Sequence, residues 1–165
     1  AGMVVVAPPK VAGGKFRVLE RIQFRGMDFK AQAEMIRQTT LRYYVTYIGV
    51  DITGMGTGVS QLVKQFFPNV TEFSYSPEVK TRLVLKTMDV IRHGRLEYDA
   101  GWTDLSQSLM SIKKTLTASQ RQMTFTAGRS EETGHADLAW ALMHAIHNEP
   151  LEGQTQMNQS FLEIY

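Results

Sequence analysis

The chain contains no cysteine, which excludes a disulfide scaffold and any thiolate metal site and fits a reducing cytoplasm. No apolar run approaches the ~20 residues that a membrane-spanning helix needs. The first residues lack the basic region and long apolar stretch of a signal peptide. Neither sign of charge dominates: the formal net charge is +2, so overall charge does not announce a nucleic-acid binder. There is no internal repeat and no linker. The sequence Gly-Lys-Ser/Thr is also absent, so ATP is not hydrolysed here through a Walker A loop.

What remains is an ordinary globular composition. The 165 residues are 43% apolar and 21% charged, enough for one domain with a real core. We place that domain at residues 1–150. Residues 151–165 form a polar tail with a short apolar end (Phe161, Leu162, Ile164, Tyr165), read as a flexible extension that docks on something. Basic residues are unevenly spread: nine lie between Lys80 and Arg129 against four acids. Such a stretch either tracks a phosphate backbone or forms solvated helix faces.

The pattern predicts an α/β domain with a mixed sheet. Met3 to Ala7 and Phe16 to Phe24 read as an antiparallel hairpin with a long connection, with Phe16, Val18, Ile22 and Phe24 as candidates for burial. Asp28 caps a helix to about Tyr44, with Phe29, Ala33 and Ile36 on one face. Val45 to Val50 is nearly continuous apolar, as in a strand buried on both faces. Val59 to Phe67 predicts a short helix and Val70 to Tyr75 a strand. Ser76-Pro77 starts a helix that ends at Gly94. Beyond it come a brief strand over Arg95 to Tyr98, a helix from Thr103 to about Leu116 and a strand from Gln122 to Ala127. The helix from His135 to His147 is apolar on nearly every side and should be buried.

Two carboxylates carry the chemistry. Asp51 ends the apolar strand, where open α/β sheets place their sites. A carboxylate there needs a metal, a cation or backbone amides, or else it caps the following helix. Asp137 opens the apolar helix, either as a partner of the helix dipole or as a metal ligand, with His135 beside it. Hard oxygen donors without cysteine suit Mg²⁺ or Mn²⁺ rather than Zn²⁺. Gly54-x-Gly56-x-Gly58 lacks the G-x-G-x-x-G spacing of a dinucleotide site, so its glycines read as permissive backbone. His144, His147 and Glu149 do not form H-E-x-x-H, and read better as cations at a helix C-terminus. Lys80 and Arg82 either point at phosphates or are solvated.

Together, Y-I-G-V-D-I-T-G-M-G, S-P-E-V-K-T-R-L-V-L-K, H-G-R-L-E-Y-D and R-S-E-E-T-G-H-A-D-L-A-W-A-L-M-H-A closely resemble the C-terminal nuclease domain of the large terminase subunit of tailed bacteriophages. The similarity is greatest to the branch of temperate phages that package from cohesive ends, and it runs from about Ala1 to Leu151. It implies a ribonuclease H-like fold, a mixed central sheet flanked by helices. It also implies an endonuclease that cuts concatemeric double-stranded phage DNA into genome lengths, using acids and two divalent ions ~3.5–4 Å apart. Asp51 matches the family's second acid and Asp137 its last, in a motif where many relatives pair acids and this chain has Ala136. Lys80 matches a basic position, with Arg82 and Arg129 as further DNA contacts and His135 as a supporting group. The family's first acid lies on a strand upstream of Met3, normally central in the sheet. No Asp or Glu precedes Glu20, so that strand is expected to be missing and activity weakened. The implied partners are an N-terminal ATPase domain, the small terminase subunit and the portal, in the host bacterial cytoplasm. A rival expectation is a non-catalytic module that docks DNA or the packaging machine.

Overall fold

The N-terminal alternation forms the expected hairpin. Strand β1 (Gly2–Ala7) pairs antiparallel with β2 (Phe16–Gln23), with a bulge between Val5 and Val6. The computed structural model describes residues 1–128 and 136–150. Phe16, Val18 and Phe24 are buried while Ile22 is half-buried. Helix α1 (Phe29–Arg42) is capped by Asp28, whose Oδ1 accepts the Ala31 N–H at 2.8 Å. Ala33 of its apolar face is buried against Val59 and Val63.

The next run departs from expectation. Only Gly49–Asp51 forms a strand, β3, and its residues are half-buried rather than covered on both sides. The cause is topological: β3 pairs parallel with β4 (Thr71–Phe73) on one side, and its other edge borders a groove. Between them lies α2 (Gly56–Val63).

Helix α3 (Pro77–Arg92) starts as its sequence requires, with Pro77 in the first turn and Ser76 Oγ accepting the Val79 N–H at 3.2 Å. Gly94, at φ +64°, ends it. Strand β5 is reduced to Leu96–Glu97 and pairs parallel with β2. Helix α4 (Thr103–Met110) stops six residues before the expected Leu116. The remainder, Ile112–Leu116, is strand β6, paired antiparallel with β7 (Met123–Ala127). Ile-Lys-Lys-Thr-Leu fits either period, and the partner strand decides in favour of the sheet. Helix α5 (Asp137–His147) is buried, as its composition demands.

The sheet is therefore mixed and divided. One part has the order β1-β2-β5 and the other β3-β4, with the β6-β7 hairpin separate. Alternate residues of β1 show what covers each face. Val4 and Val6 pack with Leu138, Leu142 and Ile146 of α5, whereas Met3 reaches Thr39 of α1. Helices thus lie on both faces. Phe16, Leu105, Leu138, Leu142 and Ile146 are essentially inaccessible, each worth roughly 1.5–3 kcal/mol of apolar burial.

The basic stretch does not survive as one face. Lys86 and Arg95 turn inward and grip Glu149, whose side chain is 4% exposed. Lys113, Lys114 and Arg121 are exposed on or beside the β6-β7 hairpin.

Candidate metal centre at the end of the sheet

Asp51 closes β3 and its half-buried carboxylate turns back over the following loop. Its Oδ1 accepts the Thr53 N–H at 2.7 Å, and Thr53 Oγ1 accepts the Tyr75 N–H at 3.0 Å. Asp51 does not cap α2; the residue before that helix is Met55, which makes no side-chain bond. Gly54 takes the turn at φ +71°. Gly56 meets a harder constraint: a Cβ there would lie 1.8 Å from the Asp51 carbonyl oxygen.

Asp137 opens α5 after Ala136, a fully buried alanine in the left-handed region at φ +58°. That conformation costs roughly 1–3 kcal/mol for a residue with a Cβ, so the surrounding packing holds the bend that starts the helix. Asp137 Oδ2 stands 3.0 Å from the Ala1 ammonium.

Tyr75, two residues past β4, feels the charge of both acids. Burial pushes its phenol well above the usual range, and the negative charges of Asp51 and Asp137 push it further. Its hydroxyl bonds His144 Nε2 at 2.7 Å, and Lys80 Nζ stands 5.9 Å from its ring centroid. His144 stacks on Phe73 with centroids 4.2 Å apart. Burial lowers its pKa to about 4, against a bond to the Gly49 backbone that favours the proton. His144 is therefore neutral at pH 7 and not the helix-terminal cation its position suggests. With its other nitrogen toward Gly49, Nε2 accepts from Tyr75.

Asp51, Asp137 and Lys80 line a groove of about 1300 Å³ that also includes Tyr75 and His144. Arg82 is exposed on α3 and does not line it. Arg129 and His135, and the tail at 151–165, lie outside the described residues. Among the described residues no three His, Asp or Glu side chains gather as a metal-binding group. The donor set is two carboxylates without nitrogen or sulfur ligands. It fits Mg²⁺, which keeps several waters and takes one or two carboxylates plus substrate phosphate. Sequence reading missed Tyr75, Thr53 and His144. The signal for Tyr75 was available: the strand neighbouring Asp51 in parallel must end in the same crevice.

A family model described as the terminase RNaseH-like domain matches residues 1–149. The chain is 57% identical to the terminase ATPase subunit of Escherichia phage P2, over 100% of its own length and 28% of that protein. It is 42% identical to the probable terminase ATPase subunit of Haemophilus phage HP1, over 92% of the chain and 25% of that protein. It thus spans about a quarter of the length of these curated relatives. Among solved structures it is similar in fold to the large terminase nuclease of thermophilic phage G20c, with a TM-score of 0.63 and 16% identity over 89% of this chain and 82% of that one. The same nuclease with bound magnesium gives a TM-score of 0.66 and 17% identity, with equal coverage. Its form with bound cobalt gives 0.60 and 18%, over 85% and 80%.

Proposed function

The chain belongs to the terminase RNaseH-like domain family, and from that premise we propose that it is the metal-dependent endonuclease domain of a phage DNA-packaging terminase. Its substrate is concatemeric double-stranded DNA, cut into genome lengths by two-metal phosphodiester hydrolysis in the host bacterial cytoplasm. Residues 1–150 form the nuclease unit. In the longer protein it works beside an ATPase domain, with the small terminase subunit and the portal as further partners.

The observation that supports this reading is that Asp51, Asp137, Tyr75 and Lys80 line one groove, with the charge of both acids felt at the Tyr75 phenol. Both acids line one groove, although they come from elements more than eighty residues apart in sequence. Asp51 and Asp137 hold Mg²⁺ or Mn²⁺, as the bound magnesium of the G20c nuclease supports for the fold. A bound divalent ion supplies charge neutralisation at the phosphodiester and a more acidic water. Thr53 and Tyr75 fix the orientation of Asp51 through the bonds already described. Lys80 meets a backbone phosphate, Arg82 and Arg129 are further DNA contacts, and His135 supports the acids. The resemblance adds a third carboxylate from an upstream strand.

Plasmid nicking with Mn²⁺, Mg²⁺ or EDTA tests the proposal. Metal-dependent cutting lost in Asp51→Asn and Asp137→Asn, with DNA binding retained, supports it. One observation favours the rival, a docking module without catalysis: among the described residues no three His, Asp or Glu side chains gather as a metal-binding group. DNA binding without cutting in any metal, even after extension of the chain upstream, would establish that rival.

A further inference from the structure

Resting on the reading of Asp51 and Asp137 as metal ligands, we infer that His144 is a positioning residue. Through Gly49, Phe73 and Tyr75 it fixes how far apart the two carboxylates stand.

The two acids belong to different elements, Asp51 to the β3-β4 pair and Asp137 to α5. The distance between them is therefore set by how α5 is seated on that pair. Most of the seating of α5 is apolar. Leu138, Leu142 and Ile146 pack with Phe16 and Val18 of β2, and Ala139 and Met143 with Leu83 and Val84 of α3. Burial of this kind is non-directional, and by itself lets a helix slide by fractions of an ångström. An ion is less tolerant: Mg²⁺ takes its oxygens at about 2.0–2.1 Å in near-octahedral geometry. Carboxylates that share such a site must hold their places to within about 0.5 Å.

His144 supplies the directional contacts. Its ring stacks on Phe73 with centroids 4.2 Å and planes 7° apart, and Phe73 is the register partner of Asp51 itself. Its Nε2 accepts the Tyr75 hydroxyl at 2.7 Å. The N–H of that same tyrosine holds Thr53, whose own N–H holds Asp51. The other ring nitrogen meets the backbone of Gly49, the first residue of β3. A flat ring stacked on one face and bonded at two edges can neither slide nor turn.

Sequence spacing carries this restraint to Asp137. His144 follows it by seven residues, two helical turns, so both stand on one face of α5 about 10 Å apart. The seat is also tight from the strand side. A Cβ at Gly49 would lie 2.9 Å from Phe73 Cε2 and 3.1 Å from His144 Cβ, so α5 approaches the bare backbone of β3. Stability gives no reason for an imidazole here. At 5% exposure its polar atoms lose water and need partners, whereas an apolar side chain would fill the space without them.

The test titrates the 165-residue chain with Mn²⁺, followed by EPR, at a temperature where circular dichroism shows each variant folded. Tyr75→Phe removes the hydroxyl but keeps the N–H that holds Thr53, and should weaken Mn²⁺ binding about tenfold. His144→Phe keeps a stacked ring without its bonds and should lose at least as much. The double variant should bind no more weakly than His144→Phe alone, because both changes remove one shared bond. His144→Gln, whose amide oxygen reaches the place of Nε2, should recover most of the affinity. Glu149→Gln, beyond the other end of α5, lowers stability and should leave Mn²⁺ binding unchanged. Wild-type affinity in Tyr75→Phe or in His144→Phe overturns the inference. So does an equal loss in Glu149→Gln, which makes the effect one of stability. Mn²⁺ binding that Asp51→Asn and Asp137→Asn leave unaltered is a different failure: it removes the metal reading, and this inference with it.

Discussion

Asp137 and Glu149 stand at the two ends of the same apolar helix, yet their surroundings are opposite. Glu149 has a side chain 4% exposed and is held by Lys86 and Arg95. Burial alone would raise its carboxyl, but bonds from both cations keep it below the usual range. Asp137 is 34% exposed at its side chain and meets the Ala1 ammonium. Asp51 draws on the Thr53 amide alone among the described residues. Elsewhere the pattern follows Glu149: Arg42 and Tyr43 hold Glu20, and Lys15 and Arg17 hold Glu97. The fold pairs the acids it uses for structure with lysine and arginine side chains, and among the described residues no lysine or arginine pairs with the two beside the groove. A cation from outside would complete them.

The sharpest test exchanges the roles. Asp51→Asn or Asp137→Asn should lower metal-dependent nicking by about 100-fold or more and leave the urea midpoint nearly unchanged. Glu149→Gln should do the reverse. Removing one partner from a buried ionic group costs roughly 3–5 kcal/mol, read in urea unfolding, with nicking retained below the transition. Equal effects of the three variants on stability would erase the distinction.

Between the two acids, on the same helix, sits His144, buried and neutral. Its pKa falls from 6.5 to about 4 on folding, so the unfolded chain binds its proton more tightly. Stability from this group is complete above pH 6.5 and is lost as pH falls from 6.5 toward 4. The loss reaches roughly 3 kcal/mol. His144→Gln should flatten the stability profile in that window; an unchanged slope would show that other groups carry it. Tyr75→Phe leaves His144 Nε2 without its donor and should cost about 1–3 kcal/mol.

These contrasts were unevenly legible in the sequence. Asp51 and Asp137 stood out because a strand end and an apolar helix start are local patterns. Caps such as Asp28 and Ser76-Pro77 were legible for the same reason. The clamp on Glu149 was not: Lys86 and Arg95 lie 63 and 54 residues away, and charge counts alone placed them on a solvated or DNA-tracking face. The shortened β3 and the switch from α4 to β6 share that cause. Each depends on which neighbour is present or absent across the sheet, and no window of sequence contains the neighbour. His144 was misread as a cation because its ring partners, Phe73 at the end of β4 and Tyr75 just beyond it, lie about seventy residues away.

Gly56 carries one last consequence. A Cβ at that position would sit 1.8 Å from the Asp51 carbonyl oxygen, so the start of α2 and the end of β3 fit only where no side chain exists. Every missense change of a glycine codon adds at least that atom. Position 56 can therefore drift through synonymous codons alone, and any replacement there displaces the backbone that aims Asp51. The gene has no conservative alternative at this site.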